Sequence, residues 1–534
     1  MKKSEERGTG RWLMGEKNVK KQEELRERKR QWKQGGSEEA VRRQHELGQL
    51  TARERLELLF DEGTFVEYGT FAIPGSSLHG IDRRFAPGDG VVTGFGKVDG
   101  RLVWAVSQDF TVLGGSMGQN HCRKINRASE EAARNGCPCV YFWDGGGGRL
   151  QEAWFDELYK CTILASKNSG YIPTVSVICG PCAGGSAYAP ILNDFLICVD
   201  RTSKLYLCGP SVIRSATGEA VSEEELAGAY TENFISGNAH QWAKNDRDAV
   251  WHVKKYLSYM PQNCMERTAV RPYRDDPDRR IEALDHIIPD EPGKTYDVCE
   301  VIRLLADEDS VYEYQPYWAQ NLVTCFARIM GETVGIIANQ PKVKAGCFDI
   351  DSSDKFARFT DILDCYNIPM ITLTDTSGFL PGKAQEHGGI IRHGAKALEA
   401  AYRATVPKIQ VVLRKQIGGA GMPMGWNLFN LDMNLYWPTL EYGLMDPKPA
   451  CQFIVRREME RDPEHADEIL GTAMEEFVNA RTPYAMAGHL WADDIIEPCE
   501  TRMYLIRALE MLRSKNPELV QIPERKKKHA VSPR

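Results

Sequence analysis

The chain is 534 residues long, with 42% apolar and 26% charged residues and a formal charge of -7 at neutral pH. This is a globular composition, and the length exceeds what one hydrophobic core supports, since a domain takes ~100 to 200 residues. The acidic balance argues against nucleic acid as a partner, no run of ~18 uncharged apolar residues suggests a membrane span, and MKKSEERGTG has no apolar leader core.

Residues 1–45 are dense in Lys, Arg, Glu and Gln (KKQEELRERKRQWKQ) and predict a solvated helical tail. LTARERLELLF then puts Leu56, Leu58, Leu59 and Phe60 at helical spacing, and Glu62 with Gly63 turns the chain into a strand. A first domain is expected over 46–265. It opens with a strand pair (VVTGFGKVDGRLVWAVSQDF) and a helix (CRKINRASEEAARN). An apolar strand follows (CPCVYFWD) and ends in GGGGR; after a second helix, another (IPTVSVICG) ends in CAGGSAY. Thr174 to Val199 is strongly apolar, but its glycines, Pro181, Pro190 and Asp194 read as buried strand and turn. A polar connector (RTAVRPYRDDPDRRIE) leads to a second domain over 280–515, and 516–534 reads as a basic tail.

The second domain repeats the first. Phe95 to Val103 reads FGKVDGRLV and Phe326 to Val334 reads FARIMGETV, an offset of 231 (326 − 95). The same offset carries Gly115 onto Gly346, Lys124 onto Lys355, Pro138 onto Pro369 and Asp144 onto Asp375. It then drifts to 234 or 235, taking Pro173 onto Pro407 and Gly184 onto Gly419. Strand, strand, helix in both copies predicts an α/β fold of stacked ββα units, each half burying its own sheet.

Several familiar motifs dissolve on inspection. Gly114 to Gly118 spells G-x-S-x-G, but the second copy has Ala345, Gly346 and Cys347 there, so a turn is the better reading. Cys179 to Cys182 spells CGPC without a helix start after it, which argues against redox chemistry. Gly293, Lys294 and Thr295 lack the first glycine of a phosphate loop, so no ATP site is implied. His121, His387 and His393 have no metal-ligand spacing. The fifteen cysteines show no disulfide framework and suit a reducing cytoplasm.

What survives is a glycine turn at equivalent places in each half, Gly184 with Gly185 and Gly419 with Ala420. Paired backbone N–H groups aimed at one point can stabilise an oxyanion. Two such holes suit a transfer between two carbonyl-type groups.

Across residues 50–515 the chain resembles the carboxyltransferase component of biotin-dependent acyl-CoA carboxylases, as in propionyl-CoA carboxylase beta, the transcarboxylase large subunit and methylmalonyl-CoA decarboxylase alpha. The carriers are GDGVVTGFG, SQDFTVLGGSMG, GPCAGGSAY, TGEAVSEEEL, DIDSSDKFARF and GFLPGKAQEHGGIIRHGAK. The resemblance implies two tandem crotonase-like domains, usually in a homohexamer, with acyl-CoA on the first half and biotin on the second half of a neighbouring subunit. It implies transfer of a carboxyl group through an acyl-CoA enolate, with biotin itself accepting the α-proton, so that no side-chain base is needed. Gly184 and Gly185 are then the hole for the thioester, Gly419 and Ala420 that for biotin. Gly146, Gly147 and Arg149 match the acyl-CoA turn; Gly378, Phe379 and Gln385 match the biotin side. No biotin-accepting Met-Lys-Met and no ATP loop are present, so a separate biotin carrier protein and biotin carboxylase subunit, or membrane decarboxylase subunits, are the expected partners. A biotin-independent crotonase-type hydratase or isomerase is the alternative, though CAGGSAYAP lacks the acidic side chain it needs; a non-catalytic assembly subunit is a distant third.

Departures from the family pattern concern substrate. DGGGGRLQEA stands for DSGGARIQEG, placing Gly145, Gly148 and Ala153 at altered positions, and DTSGF puts Ser377 for Pro. Gly421 and Met422 replace Tyr-Asp, and the family tunes acyl-chain choice at the position of Met422, so a roomier or more lipophilic acyl pocket is expected. Asp446, Pro449 and Glu232 also differ.

Overall fold

The computed structural model describes residues 16–76, 78–152, 156–291, 293–425 and 431–515. The basic tail 516–534, residues 1–15 of the charged N-terminal tail and Ala153 lie outside the described residues. Helices Glu16–Lys33 and Glu38–Glu46 occupy the rest of the charged tail.

Local chemistry explains most elements. Thr51 and Glu54 form a reciprocal capping box that starts helix Ala52–Leu59, and burial of Leu56 and Leu59 contributes ~2 kcal/mol each. Strands Val91–Val98 and Arg101–Gln108 pair antiparallel through Asp99 and Gly100, both left-handed at φ 50° and 80°. Met330 and Gly331 make the same hairpin between Leu322–Ile329 and Glu332–Asn339, at φ 50° and 77°. Two successive left-handed residues match the twist of the strands they join.

Each half builds an eight-stranded sheet. In the first, Val66–Tyr68, Val91–Val98 and Arg101–Gln108 are antiparallel neighbours; Cys139–Gly145, Thr174–Ala183, Phe195–Val199 and Gln241–Ala243 then add in parallel. The second runs Tyr312–Tyr314, Leu322–Ile329, Glu332–Asn339, Met370–Thr376, Lys408–Ile417, Met433–Tyr436, Asp494–Ile495 in the same sense. A short strand leaves the path after each glycine turn, Lys204–Tyr206 against Thr174–Ala183 and Glu441–Gly443 against Lys408–Ile417. These are two tandem crotonase-like domains of stacked ββα units.

The expectation that each half buries its own sheet holds for only one face of each. Phe142, Val177, Phe195 and Tyr256 of the first half join Phe326, Phe359 and Tyr366 of the second in one continuous core. The rings of Phe195 and Tyr256 stack at 4.3 Å, and Tyr314 meets Phe195 at 5.9 Å. Polar side chains pin this seam: Tyr366 donates to the Ile172 carbonyl (2.8 Å) and to Asp194, Arg358 to the Asn193 carbonyl (2.8 Å) and Gln241 to the Glu313 carbonyl (2.6 Å). Helices of the second repeat cover the inner face of the first sheet, so neither half has a complete core alone.

Candidate active site

Both glycine turns sit where ligands meet parallel sheets, beyond the carboxyl ends of the strands. In the first half, strand Cys139–Gly145 runs into Gly146, whose N–H donates to the Gly114 carbonyl at 3.1 Å. Met117 N–H donates to Gly147 O (2.8 Å), and Arg149 N–H to Met117 O (3.0 Å). Gly147 is left-handed, φ 87°, and a Cβ there would lie 2.8 Å from the Ala183 carbonyl. The two turns of this half therefore touch, and Gly184 (φ 65°) follows directly. The segment Gly184–Ala187 opens a short helical turn, and the first N–H groups of such a turn have no partner within it.

The second half reproduces this. Phe348 N–H donates to Gly378 O (3.0 Å) and Leu380 N–H to Phe348 O (2.6 Å). Gly378, φ 115°, approaches the Ile417 carbonyl, and a Cβ on Gly418 would be 3.5 Å from Gly378 Cα. A Cβ on Gly419 would meet Met422 Cε at 3.4 Å and the Phe379 ring at 3.5 Å. Gly394 in turn leaves the space that Phe379 fills, with a built Cβ 3.0 Å from its ring. Gly378, Phe379, Gly419 and Met422 thus form one cradle, and Ala420, next in the chain, is buried in the shared core behind it. Gln385 stands beside it, its Oε1 accepting from the Ile350 N–H that opens helix Ile350–Cys365.

Strand geometry settles the register that the glycine-rich sequence left open. Ser176 pairs with Tyr141 as Gln410 pairs with Thr372, so the offset here is 234 (410 − 176). Gly184 therefore corresponds to Gly418, both left-handed at φ 65° and 66°, and not to Gly419. The equivalents of Gly419 and Ala420 are Gly185 and Ser186. The expected pairs are staggered by one residue.

Arg149 is buried and fully engaged inside the protein. Its Nη1 donates to Asp89 (2.6 Å) and Glu152 (2.8 Å), its Nε to Ser116 Oγ (3.1 Å) and its Nη2 to Ser116 O (2.7 Å). It holds the turn at Gly146 and Gly147 rather than facing open space. The same network takes in His121, a core histidine and not a metal ligand, with Asp89 and Gln108, which sequence reading missed. His121 Nδ1 donates to the Asp89 carbonyl (2.8 Å), and its Nε2 accepts from the Gln108 amide (3.1 Å), whose Oε1 accepts from Asp144 N–H (2.9 Å). Burial, with Arg149 close by, pushes the His121 ring down to about 3, so it is neutral.

The rejected motifs are structural. Ser116 Oγ donates to the Leu113 carbonyl (2.7 Å), and Gly115 is required because a Cβ would sit 2.1 Å from Asp144 O. Cys179 and Cys182 are buried, and burial pushes the Cys182 thiol up to about 12, the opposite of a reactive thiolate. Glu232 accepts from Ser236 (3.0 Å) and Asn238 (2.7 Å) and ties a loop. Pro449 lies in the first turn of helix Pro447–Ile454, where its missing N–H costs nothing.

Large apolar side chains stand exposed close to both turns in the chain or in space: Leu150, Tyr188 and Leu207 in the first half, Ile391 and Leu444 in the second. Among the described residues no hydrogen bond joins the two turns, which end different sheets. Nor is any helix of those residues long and apolar enough to cross a membrane.

The family model for the carboxyl transferase domain matches residues 43–529. The chain is 43% identical to methylmalonyl-CoA decarboxylase subunit alpha of Propionigenium modestum, covering 94% of this chain and 97% of that one. It is 42% identical to the propionyl-CoA carboxylase beta chain of Roseobacter denitrificans over 94% and 98%. Among solved structures it superposes with TM-score 0.91 and 41% identity on transcarboxylase 12S, a hexamer crystallised with hydrolysed methylmalonyl-coenzyme A, covering 96% of this chain and 99% of that one.

Proposed function

The chain belongs to the carboxyl transferase domain family, as a carboxyltransferase of the propionyl-CoA carboxylase and transcarboxylase type, and from that premise we propose how its two glycine turns share the reaction. The turn at Gly184 and Gly185 takes the thioester oxygen of an acyl-CoA; the cradle of Gly378, Phe379, Gly419 and Met422, with Ala420 next in the chain, takes the biotin end of a separate carrier. The observation that carries this reading is the pair of equivalent N–H-bearing turns, each at the carboxyl end of its own parallel sheet.

The residues suit both groups. A glycine at 419 keeps the backbone open beside Phe379 and Met422, where a Cβ would already touch both. When bound there, biotin supplies a ureido nitrogen that carries the carboxyl group and accepts the proton. The Gly419 and Ala420 N–H groups would hold its ureido oxygen, and those of Gly185 and its neighbours would hold the enolate oxygen of the acyl-CoA. One such donor is worth ~3 kcal/mol of barrier. No acidic or basic side chain occurs in Cys179–Pro190, which disfavours a hydratase.

The turns end different sheets of one chain and are rimmed by exposed apolar side chains. Such patches mark interaction surfaces. We infer that a second copy closes each site, its biotin half over this chain's acyl-CoA half, in a homohexamer. Direction is left to the partner: with a biotin carboxylase and biotin carrier protein the site carboxylates, and with membrane decarboxylase subunits it decarboxylates. A cytoplasmic location fits the reduced cysteines.

Incubating the purified protein with free biotin and a panel of carboxylated acyl-CoAs tests this by mass spectrometry. Biotin-dependent loss of CO2 from one member is expected; no loss from any, with binding intact, refutes carboxyl transfer.

A further inference from the structure

Each half of the duplication carries a buried lysine that no step of the reaction uses. Lys124, on helix Gln119–Asn135, and Lys355, on helix Ile350–Cys365, are 5% and 1% exposed. Among the described residues neither makes a salt bridge, and both donate to main-chain carbonyls. Lys124 Nζ bonds the Gly88 carbonyl at 2.9 Å and the Val91 carbonyl. Lys355 Nζ bonds the carbonyls of Gln315 (2.8 Å), Trp318 (2.9 Å) and Leu322 (2.7 Å), with that of Ala319 at 3.5 Å. The offset of 231 (355 − 124) that relates the lysines also relates their acceptors, Gly88 to Ala319 and Val91 to Leu322. A buried ammonium is costly unless its N–H groups are satisfied, so each lysine binds the loop that supplies its carbonyls.

Both clamped loops are sharply bent, and both lead to a glycine turn. Gly88, Asp89 and Gly90 are successively left-handed, at φ 65°, 54° and 74°, and so are the non-glycine residues Gln315 and Ala319, at 53° and 45°. Such backbone persists only where its surroundings hold it. Asp89, between the two carbonyls that Lys124 binds, accepts from Arg149 Nη1 (2.6 Å), and the Arg149 N–H is linked through Met117 to the Gly147 carbonyl. Asn321, next to Leu322, donates to the Cys347 carbonyl (2.7 Å) and to Ser352 Oγ (3.0 Å), and Phe348, directly after Cys347, donates to the Gly378 carbonyl. Two parallel relays thus run from a lysine to a turn, and they share no residue.

We propose that Lys124 and Lys355 are positioning residues, each setting through its loop the place of one glycine turn, Lys124 that of Gly147 and Lys355 that of Gly378. Which ligand each one affects rests on the function proposed above: acyl-CoA for Lys124, biotin for Lys355. The two lysines differ in one respect. Lys124 fills two carbonyls and Lys355 three at short range, whereas a neutral amine has only two N–H groups to give. Burial pushes both ammonium groups down to about 8. At Lys124 the charges of Glu67 and Asp89 oppose this and Arg53 adds to it; at Lys355 Glu313, Cys299 and Cys325 oppose it. Loss of the proton leaves Lys124 able to fill both acceptors and leaves Lys355 one donor short, so mild alkali loosens the biotin turn alone.

Steady-state kinetics of the full-length protein with free biotin and a carboxylated acyl-CoA test this. Lys124→Met is expected to raise KM for the acyl-CoA about tenfold with KM for biotin unchanged, and Lys355→Met to do the reverse, since one ordering hydrogen bond is worth about that factor. Equilibrium titration with CoA and with biotin reads the same contrast without turnover, so absence of carboxyl transfer does not decide it. Selectivity with the two ligands exchanged would support the relays while overturning the assignment of the turns. Asn321→Ala keeps the lysine and breaks the next link, and it is expected to copy Lys355→Met even where that variant fails to fold. In the wild type, KM for biotin is expected to rise between about pH 7 and 9 while KM for the acyl-CoA stays flat; in Lys355→Met both stay flat. Equal losses for both ligands in each variant, which a lysine that serves only folding gives, overturn the proposal. So does unchanged affinity in both variants, or an alkaline rise that Lys355→Met retains.

Discussion

The guanidinium of Arg414 meets the carboxylate of Asp375 at 3.2 Å, and it does so from the position that Gly180 holds in the first half. In that half a Cβ on residue 180 would lie 2.0 Å from Asp144 Oδ1, so no side chain can enter. The counter-ion arrives from elsewhere: Arg55, on the helix after the charged tail, donates to Asp144 at 2.8 Å and to Asp246 at 3.0 Å. Duplication kept the carboxylate that ends the strand before each glycine turn and changed the source of its neutralising charge. Among the described residues Arg55 is the sole cation paired with these two buried carboxylates.

Arg55→Met should therefore destabilise the protein by ~3 to 5 kcal/mol, the cost of leaving buried charge unpaired. Adding Asp144→Asn should recover part of the loss. Chemical denaturation of the single and double variants measures both, and a loss under ~1 kcal/mol for Arg55→Met would mean that Asp144, which burial pushes up to about 6, is neutral in the variant.

His121 predicts a pH dependence. Its folded pKa of about 3 lies below the unfolded value near 6.5. A depressed folded pKa gives stability that is complete above the unfolded pKa and is lost as pH falls towards the folded one. Between pH 6.5 and 5 the wild type should lose ~2 kcal/mol more than His121→Asn, at ~1.4 kcal/mol per pH unit. Parallel curves of denaturation midpoint against pH for the two proteins would sink the idea.

Gly419→Val should fold, because the backbone there is not left-handed and the nearest atom its Cβ meets is the flexible end of Met422 at 3.4 Å. Transfer should fall by ~100- to 1000-fold while acyl-CoA binding survives. Loss of acyl-CoA binding instead would show that the two turns have exchanged roles.

Met422→Asp should shift relative rates towards propionyl-CoA over longer acyl-CoAs by about tenfold, since a carboxylate beside Gly419 penalises an apolar chain. Competition between acyl-CoAs of different length reads the ratio directly, and an unchanged ratio removes Met422 from chain selection.

Amino-acid order alone determined the duplication, the ββα repeat, the hairpins and the glycine turns, because these depend on local chemistry: spacing of apolar residues, glycine where φ is positive, capping side chains. The motifs around Gly146, Gly378 and Gly419 were equally legible, being short and contiguous. Register was not. Gly184 could be aligned with Gly418 or Gly419 by letters, and only the left-handed backbone of Gly418 and the strand pairing chose. Nor could sequence show that the halves share a core through Phe195, Tyr314 and Tyr366, or that Arg149 is tied to Asp89, Glu152 and Ser116. Partners such as Arg55 and Asp144 stand 89 residues apart. Which buried charge meets which is decided by the packing of whole helices onto sheets, since burial makes an unpaired charge costly wherever its partner lies in the chain.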